Sequence, residues 1–261
     1  IMRLCSIASG SSGNCIYVGS DATHLLVDAG ISGKRMVAGV ESLGIKPSEL
    51  DGILITHEHS DHISGLGILA RKYEIPIYTT KETFEAIEQD KKIGLLPEGL
   101  FREVRYDEKF IVKDMEIYPV KISHDARKPV AYRVGCEKKK VGILTDLGNF
   151  NDYIVECMAG LDAVLLEANH DVNMLQVGPY PYYLKQRILS DRGHLSNEAC
   201  SRVAVRLAQT GTQKLILAHL SRENNHPRLA LETTQEALRL ADMGAEVQIA
   251  PACEPGEPVL L

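Results

Sequence analysis

Short runs of aliphatic and β-branched residues punctuate the chain, and each runs into a polar residue of a particular kind. Leu25-Leu26-Val27 leads to Asp28, and Gly52-Ile53-Leu54-Ile55 leads to Thr56-His57. Val141-Gly142-Ile143-Leu144 leads to Thr145-Asp146, Ala163-Val164-Leu165-Leu166 to Glu167, and Leu215-Ile216-Leu217 to Ala218-His219. Continuous apolar runs of this length predict strands buried on both faces, in sheets covered by helices. All five deliver an acid or a histidine to the carboxyl end of a strand, the edge where layered α/β proteins build their sites.

Between these runs, helical spacing predicts helices over residues 64–72 and 81–89. A third covers 197–208 behind the N-cap Ser196, and a fourth covers 228–243, ending at Gly244. Stretches near 103–120 and 130–136 read as hairpin-like strands, with Lys138-Lys139-Lys140 a solvated turn. Ser9-Gly10-Ser11-Ser12-Gly13 reads as a plain hairpin turn, since it lacks the Lys-Ser/Thr of a phosphate-binding loop. The similar stretches 53–57 and 215–219 hint at an internal duplication.

Composition narrows the class. The 261 residues, 44% hydrophobic and 25% charged, suit one globular domain spanning 1–261 and exclude a disordered chain or a fibrous rod. No apolar run reaches the ~20 residues of a membrane-spanning helix, and the first residues lack signal-peptide character. The six cysteines are scattered without a C-x-x-C pair, which reads as reduced thiols of a cytoplasmic protein. With 29 basic against 35 acidic residues, the formal charge of −6 argues against a protein that coats nucleic acid.

The strongest chemical signal is Thr56-His57-Glu58-His59-Ser60-Asp61-His62. Neutral imidazoles and carboxylates packed this closely, between a buried strand and a helix, suit one or two divalent metals.

The motif H-x-H-x-D-H after a strand resembles that of the metallo-β-lactamase superfamily, and the likeness runs over nearly the whole chain. His124 in Ile122-Ser123-His124, Asp146 in Leu144-Thr145-Asp146 and His219 in Leu217-Ala218-His219-Leu220-Ser221 match its later motifs, in the manner of ribonuclease Z-like members. The resemblance implies a four-layer αββα sandwich. It also implies two divalent ions, Zn2+ or Mn2+, with His57, His59 and His124 on one and Asp61, His62 and His219 on the other. Asp146 would bridge them, and Asp28 would support the histidine loop through hydrogen bonds. The stretches 8–14, 69–73 and 184–191, with Glu167-Ala168-Asn169-His170-Asp171 and Gly193-His194-Leu195-Ser196-Asn197, resemble the WalJ (YycJ) branch. That branch implies a bacterial nuclease with 5′-to-3′ exonuclease action on DNA.

Two metals ~3.5–4 Å apart can hold a bridging hydroxide and clamp the oxygens of an in-line displacement. Departure of the alkoxide needs a proton, and a general acid contributes ~10²–10⁴-fold. His194 is the expected acid, with Glu167 orienting it and stabilising its cation, and Asp61 completes the catalytic set. Ser11, Asn14, Lys185 and Arg187 are candidate substrate contacts. Tyr180, Tyr182 and Tyr183 are candidates for base stacking, with His170 and Asp171 placed behind Glu167. Two other readings stay open. One is an RNA-processing nuclease or a hydrolase of a thioester, lactone or β-lactam, and the other a non-catalytic metal-stabilised module. The native metal, the strand polarity and the oligomeric state are not legible.

Overall fold

In the computed structural model, which describes residues 1–261, two seven-stranded sheets face each other. The first takes β1 (Arg3–Ala8), β2 (Cys15–Gly19), β3 (His24–Val27), β4 (Gly52–Leu54), β5 (Ile77–Thr79) and β6 (Phe101–Glu103) side by side in chain order. The second takes β7 (Phe110–Val112), β8 (Met115–Lys121), β9 (Val130–Cys136), β10 (Lys139–Leu144), β11 (Ala163–Glu167), β12 (Lys214–Ala218) and β13 (Glu246–Ile249), also in order. The last strand, β14 (Val259–Leu260), returns antiparallel to β1.

The apolar runs are continuous because each strand feeds two cores. Leu25, Val27, Leu54, Val141, Ile143, Leu165 and Ile216 point between the sheets into one buried cluster. Their neighbours point outward. Leu26, Ile53 and Ile55 pack under α1 (Gly33–Ser42), α3 (Leu66–Tyr73) and α4 (Lys81–Gln89), with the short α2 (Ser60–Ile63) between α1 and α3 in sequence. Leu144, Val164, Leu166, Leu215 and Leu217 pack under α5 (Asp152–Cys157), α8 (Asn197–Gln209) and α9 (Pro227–Leu240). Two more helices, α6 (Val172–Val177) and α7 (Tyr182–Leu189), lie between β11 and α8 in sequence. Each fully buried aliphatic side chain adds ~1.5–3 kcal/mol, so three such clusters fix the αββα layering.

The sheets repeat one plan. β3 pairs antiparallel with β2 and parallel with β4, and β10 pairs antiparallel with β9 and parallel with β11. The duplication hinted at by stretches 53–57 and 215–219 is therefore out of step. The counterpart of β4 is β11, and β12 lies one strand further on.

Two helices differ from expectation. The helix expected over 64–72 is broken at Gly65, whose N–H donates to Ala29 O at 2.8 Å, and α3 starts only at Leu66. The last long helix stops at Leu240 rather than running to Met243. Asp242 takes the left-handed conformation (φ 54°), with Asp242 N–H on Arg239 O and Met243 N–H on Leu238 O, a termination usually built on glycine. Helices α1, α2 and α5 to α7 were not foreseen from the sequence. No helix is long and apolar enough to cross a membrane.

Candidate metal centre

The site lies at the carboxyl ends of β3, β4, β10, β11 and β12, the five strands whose apolar runs end in polar residues. Three of these residues turn sharply off their strands. Asp28, Asp146 and His219 have φ of 62°, 56° and 56°, a conformation that costs a residue other than glycine roughly 1–3 kcal/mol.

After β4 the chain stays extended through His59, which caps α2, and the single turn of α2 brings Asp61 and His62 back towards His57. Backbone bonds pin this loop. Asp61 O accepts from Asn14 N–H and His62 O from Ala29 N–H, each at 2.8 Å. Gly30 is required there, because a Cβ would sit 1.6 Å from Asp61 O.

Four histidines are fixed by what their Nδ1 atoms meet. Asp28 Oδ2 lies 2.7 Å from His62 Nδ1, and the same carboxylate accepts from Thr56 N–H and Thr56 O–H at 2.8–3.0 Å. Thr56 Oγ1 lies 3.0 Å from His57 Nδ1. His124 Nδ1 donates to Gly193 O at 3.1 Å, and His219 Nδ1 donates to Glu167 Oε1 at 2.7 Å. Each Nε2 is thereby turned to the centre. His59 completes the set with Nδ1, 3.3 Å from His124 Nε2.

Candidate ligand atoms converge in overlapping groups: His57, His59 and His124; His57, His62 and Asp146; Asp61, His62 and His219; and Asp146, Glu167, His194 and His219. Within each group the atoms lie no more than 4.8 Å apart. His57 Nε2, His219 Nε2 and Asp146 Oδ2 are buried with no hydrogen-bond partner. Orphaned buried polar atoms are costly, and three of them among donors suited to zinc or manganese fit resident divalent cations.

Burial, reinforced by neighbouring His62, holds His57 well below the usual histidine range. At His62 burial opposes protonation, but Asp146, Asp28 and Asp61 outweigh it and hold the ring's pKa well above that range. At Asp146 burial favours the neutral acid, yet His219 and His62 keep it ionised.

Glu167 has no exposed surface and both its oxygens are occupied. Oε1 accepts from His194 Nδ1 at 2.8 Å, His219 Nδ1 at 2.7 Å and, more distantly, Asp146 N–H, while Oε2 accepts from Leu147 N–H and Leu195 N–H at 3.0 Å. Burial pushes its pKa up, but His194 and His219 pull it down to about 2. It therefore stays a carboxylate and does not reach the cavity.

His194 does reach it. A cavity of about 220 Å³ lies over the centre, lined by His59, Asp61, Asp146, His194 and His219 and walled by Tyr180, Leu184, Arg187 and Ile188 of the α6–α7 segment. Of the candidate substrate contacts, Ser11 and Arg187 line it. Arg187 is also bonded to Asp125, whose other oxygen lies 3.3 Å from His124 Nε2. The other two candidates stand elsewhere. Asn14 is fully buried beneath the histidine loop, its Nδ2 3.1 Å from His62 Nε2, because its carbonyl and N–H are tied to Gly30 and Asp61. Lys185 points away on α7, its Nζ donating to Gln176 O at 2.7 Å. Tyr182 and Tyr183 are exposed outside the cavity, and Asp171 caps α6 by accepting from Met174 N–H. Both ring nitrogens of His170 are buried without partners.

Sequence reading missed Thr56 as the link between Asp28 and two histidines. It also missed Asn169 and Ser221, which line the cavity. Each of the latter lies two residues beyond a strand-end site residue, a signal that could have found them.

A beta-lactamase superfamily domain model matches residues 23–220. The chain is 43% identical to exodeoxyribonuclease WalJ of Streptococcus pneumoniae serotype 2 over 241 residues, covering 92% of this chain and 90% of that protein. It is 40% identical to exodeoxyribonuclease YycJ of Bacillus anthracis over 246 residues, covering 91% and 89%. In fold it is similar to the metallo-beta-lactamase fold protein YhfI from Bacillus subtilis, with a TM-score of 0.74 at 18% identity, over 98% of this chain and 100% of that one. A matched model over most of the chain and relatives of this identity over nearly all of it have one meaning: the chain belongs to the metallo-β-lactamase superfamily.

Proposed function

We propose that this protein is a metal-dependent exonuclease acting on DNA, as the names of its exodeoxyribonuclease WalJ and YycJ relatives support, and that it works in the cytoplasm with 5′-to-3′ polarity. The observation that carries the reading is the His194–Glu167 pair beside the converged ligand atoms, with His194 Nδ1 bonded to a buried carboxylate and its ring lining the cavity. The alkoxide that departs from a phosphodiester needs a proton, and this pair stands where it can deliver one.

His57, His59 and His124 would hold one cation, Asp61, His62 and His219 the other, with Asp146 shared between them. Two such ions, Zn2+ or Mn2+, would supply Lewis acidity, a nucleophile active at neutral pH and positive charge for the phosphodiester. The chain's own residues do the rest. Asp61 and Asp146 offset only part of the cationic charge, so an anionic diester is favoured over a neutral amide. Asp28 and Thr56 hold the rings of His62 and His57 in place. Glu167 holds His194 as a proton donor, and His194 delivers the proton to the leaving oxygen. Leu184 and Ile188 give the cavity an apolar wall on the α7 side.

The test is cleavage of end-labelled single- and double-stranded DNA and RNA by the metal-loaded protein, beside Asp61→Ala and Asp146→Ala. Release of nucleotides from DNA by the wild type alone is expected. No cleavage of any substrate, or equal cleavage by the two variants, would sink the reading.

A further inference from the structure

A second cavity, about 660 Å³ and three times the volume of the first, opens on the other side of His124. It is lined by the cations Lys121, Arg127 and Arg192 and by the rings of Tyr106 and Tyr153. All three cations are exposed, and none is in an ion pair with a carboxylate. The one acid in the lining, Asp107, is engaged by the hydroxyls of Tyr118 and Tyr153. In a chain of formal charge −6, this is a local concentration of unneutralised positive charge.

The groove is joined to the centre. Arg192 Nε and Nη2 each donate to His124 O at 3.3 Å, so the groove wall grips the backbone of a candidate metal ligand. The Tyr106 ring lies beneath the ammonium groups of Lys121 and Lys128, at 6.0 and 5.5 Å. Cations interleaved with aromatic rings along a groove are what a single strand requires: ammonium and guanidinium groups track its phosphates while its unpaired bases meet π-faces. The cavity over the centre, by contrast, has a third of that volume and is bordered on one side by α7.

We propose that the Lys121–Arg127–Arg192 groove binds single-stranded DNA running away from the scissile phosphate, with the terminal nucleotide held in the smaller cavity. The proposal rests on the exonuclease reading and adds to it the path of the strand. The large groove takes the chain, and the smaller cavity takes only its end.

The test reads binding as well as activity. In an Asp61→Ala background, which prevents cleavage, fluorescence anisotropy follows a short fluorescein-labelled oligothymidylate. Lys121→Ala with Arg127→Ala is expected to weaken binding about tenfold and to reduce the salt slope by ~0.7 for each phosphate that is no longer neutralised. Both side chains are exposed, so the thermal midpoint should not move. In the otherwise wild-type protein, the double variant should turn over a mononucleotide p-nitrophenyl diester at the normal rate while its KM for the oligonucleotide rises. Unchanged oligonucleotide affinity and salt slope in the double variant, or no binding by the parent, overturns the proposal. Groove-dependent binding in a protein that cuts no DNA would instead remove the nuclease reading and leave the groove standing.

Discussion

His194 Nδ1 donates to Glu167 Oε1 at 2.8 Å, and that carboxylate has no exposed surface. The oxygen is shared with Nδ1 of His219, so one buried group sets the orientation of both the candidate proton donor and a candidate ligand. Changes at the two ends of this bond should therefore part company. His194→Ala should lower kcat by ~10²–10⁴-fold with metal content unchanged. Glu167→Gln keeps the shape but cannot accept at both oxygens, so it should lower kcat and also weaken metal binding by ~10–100-fold. Metal analysis of the purified variants beside single-turnover rates separates the two, and equal metal loss in both would remove the distinction.

Asp28 touches none of the cavity, yet it receives Thr56 N–H, Thr56 O–H and His62 Nδ1 in a site closed to solvent. Asp28→Ala releases the His62 ring and leaves those donors buried without a partner. A fall in metal affinity of ~10–100-fold is expected from competition with a chromophoric chelator. Unaltered affinity would show that the loop holds its shape without the carboxylate.

Gly30 makes a prediction about stability. A Cβ there meets Asp61 O at 1.6 Å and cannot be accommodated without moving the histidine loop. Gly30→Ala should cost about 2 kcal/mol or more, which for a chain of this size is a fall of roughly 4–8 °C in the thermal midpoint. Calorimetry checks it, and activity should fall with stability because the displaced backbone carries Asp61.

Removal of metal should leave the layers intact and loosen the site. The two sheets are held by their own cores, so the far-ultraviolet dichroism should survive chelation. Each cation present at a hundred times its Kd stabilises the folded state by ~2.7 kcal/mol, so loss of both should drop the midpoint by roughly 10–20 °C. Readdition of Zn2+ or Mn2+ should restore the midpoint and the activity together. A midpoint insensitive to chelator would mean that no cation is bound by the folded protein.

The chain's own pattern determined the doubly covered strands and the candidate site residues at their ends. Leu25-Leu26-Val27 and its four counterparts are apolar at successive positions because alternate residues feed different cores, so the runs announce doubly covered strands. The polar residue after each run is legible for the same reason, since a carboxylate or imidazole cannot continue a buried strand and must mark its end. His57, His59, Asp61 and His62 were readable because they sit in one short segment. What sequence could not supply were relations set by the meeting of distant segments. Thr56 joins Asp28 to two histidines only because β3 and β4 lie side by side. Asn14 stands under the histidine loop, and not in the cavity, because the β1–β2 turn folds back against Asp61. Lys185 and Arg187 are two residues apart on α7, where successive side chains point about 100° apart, so one faces the site and the other leaves it. The groove beyond His124 unites Lys121, Arg127, Tyr153 and Arg192 from separate stretches of chain. Local physics wrote the strands and their ends, and only packing decided which of those ends, and which loops, came together.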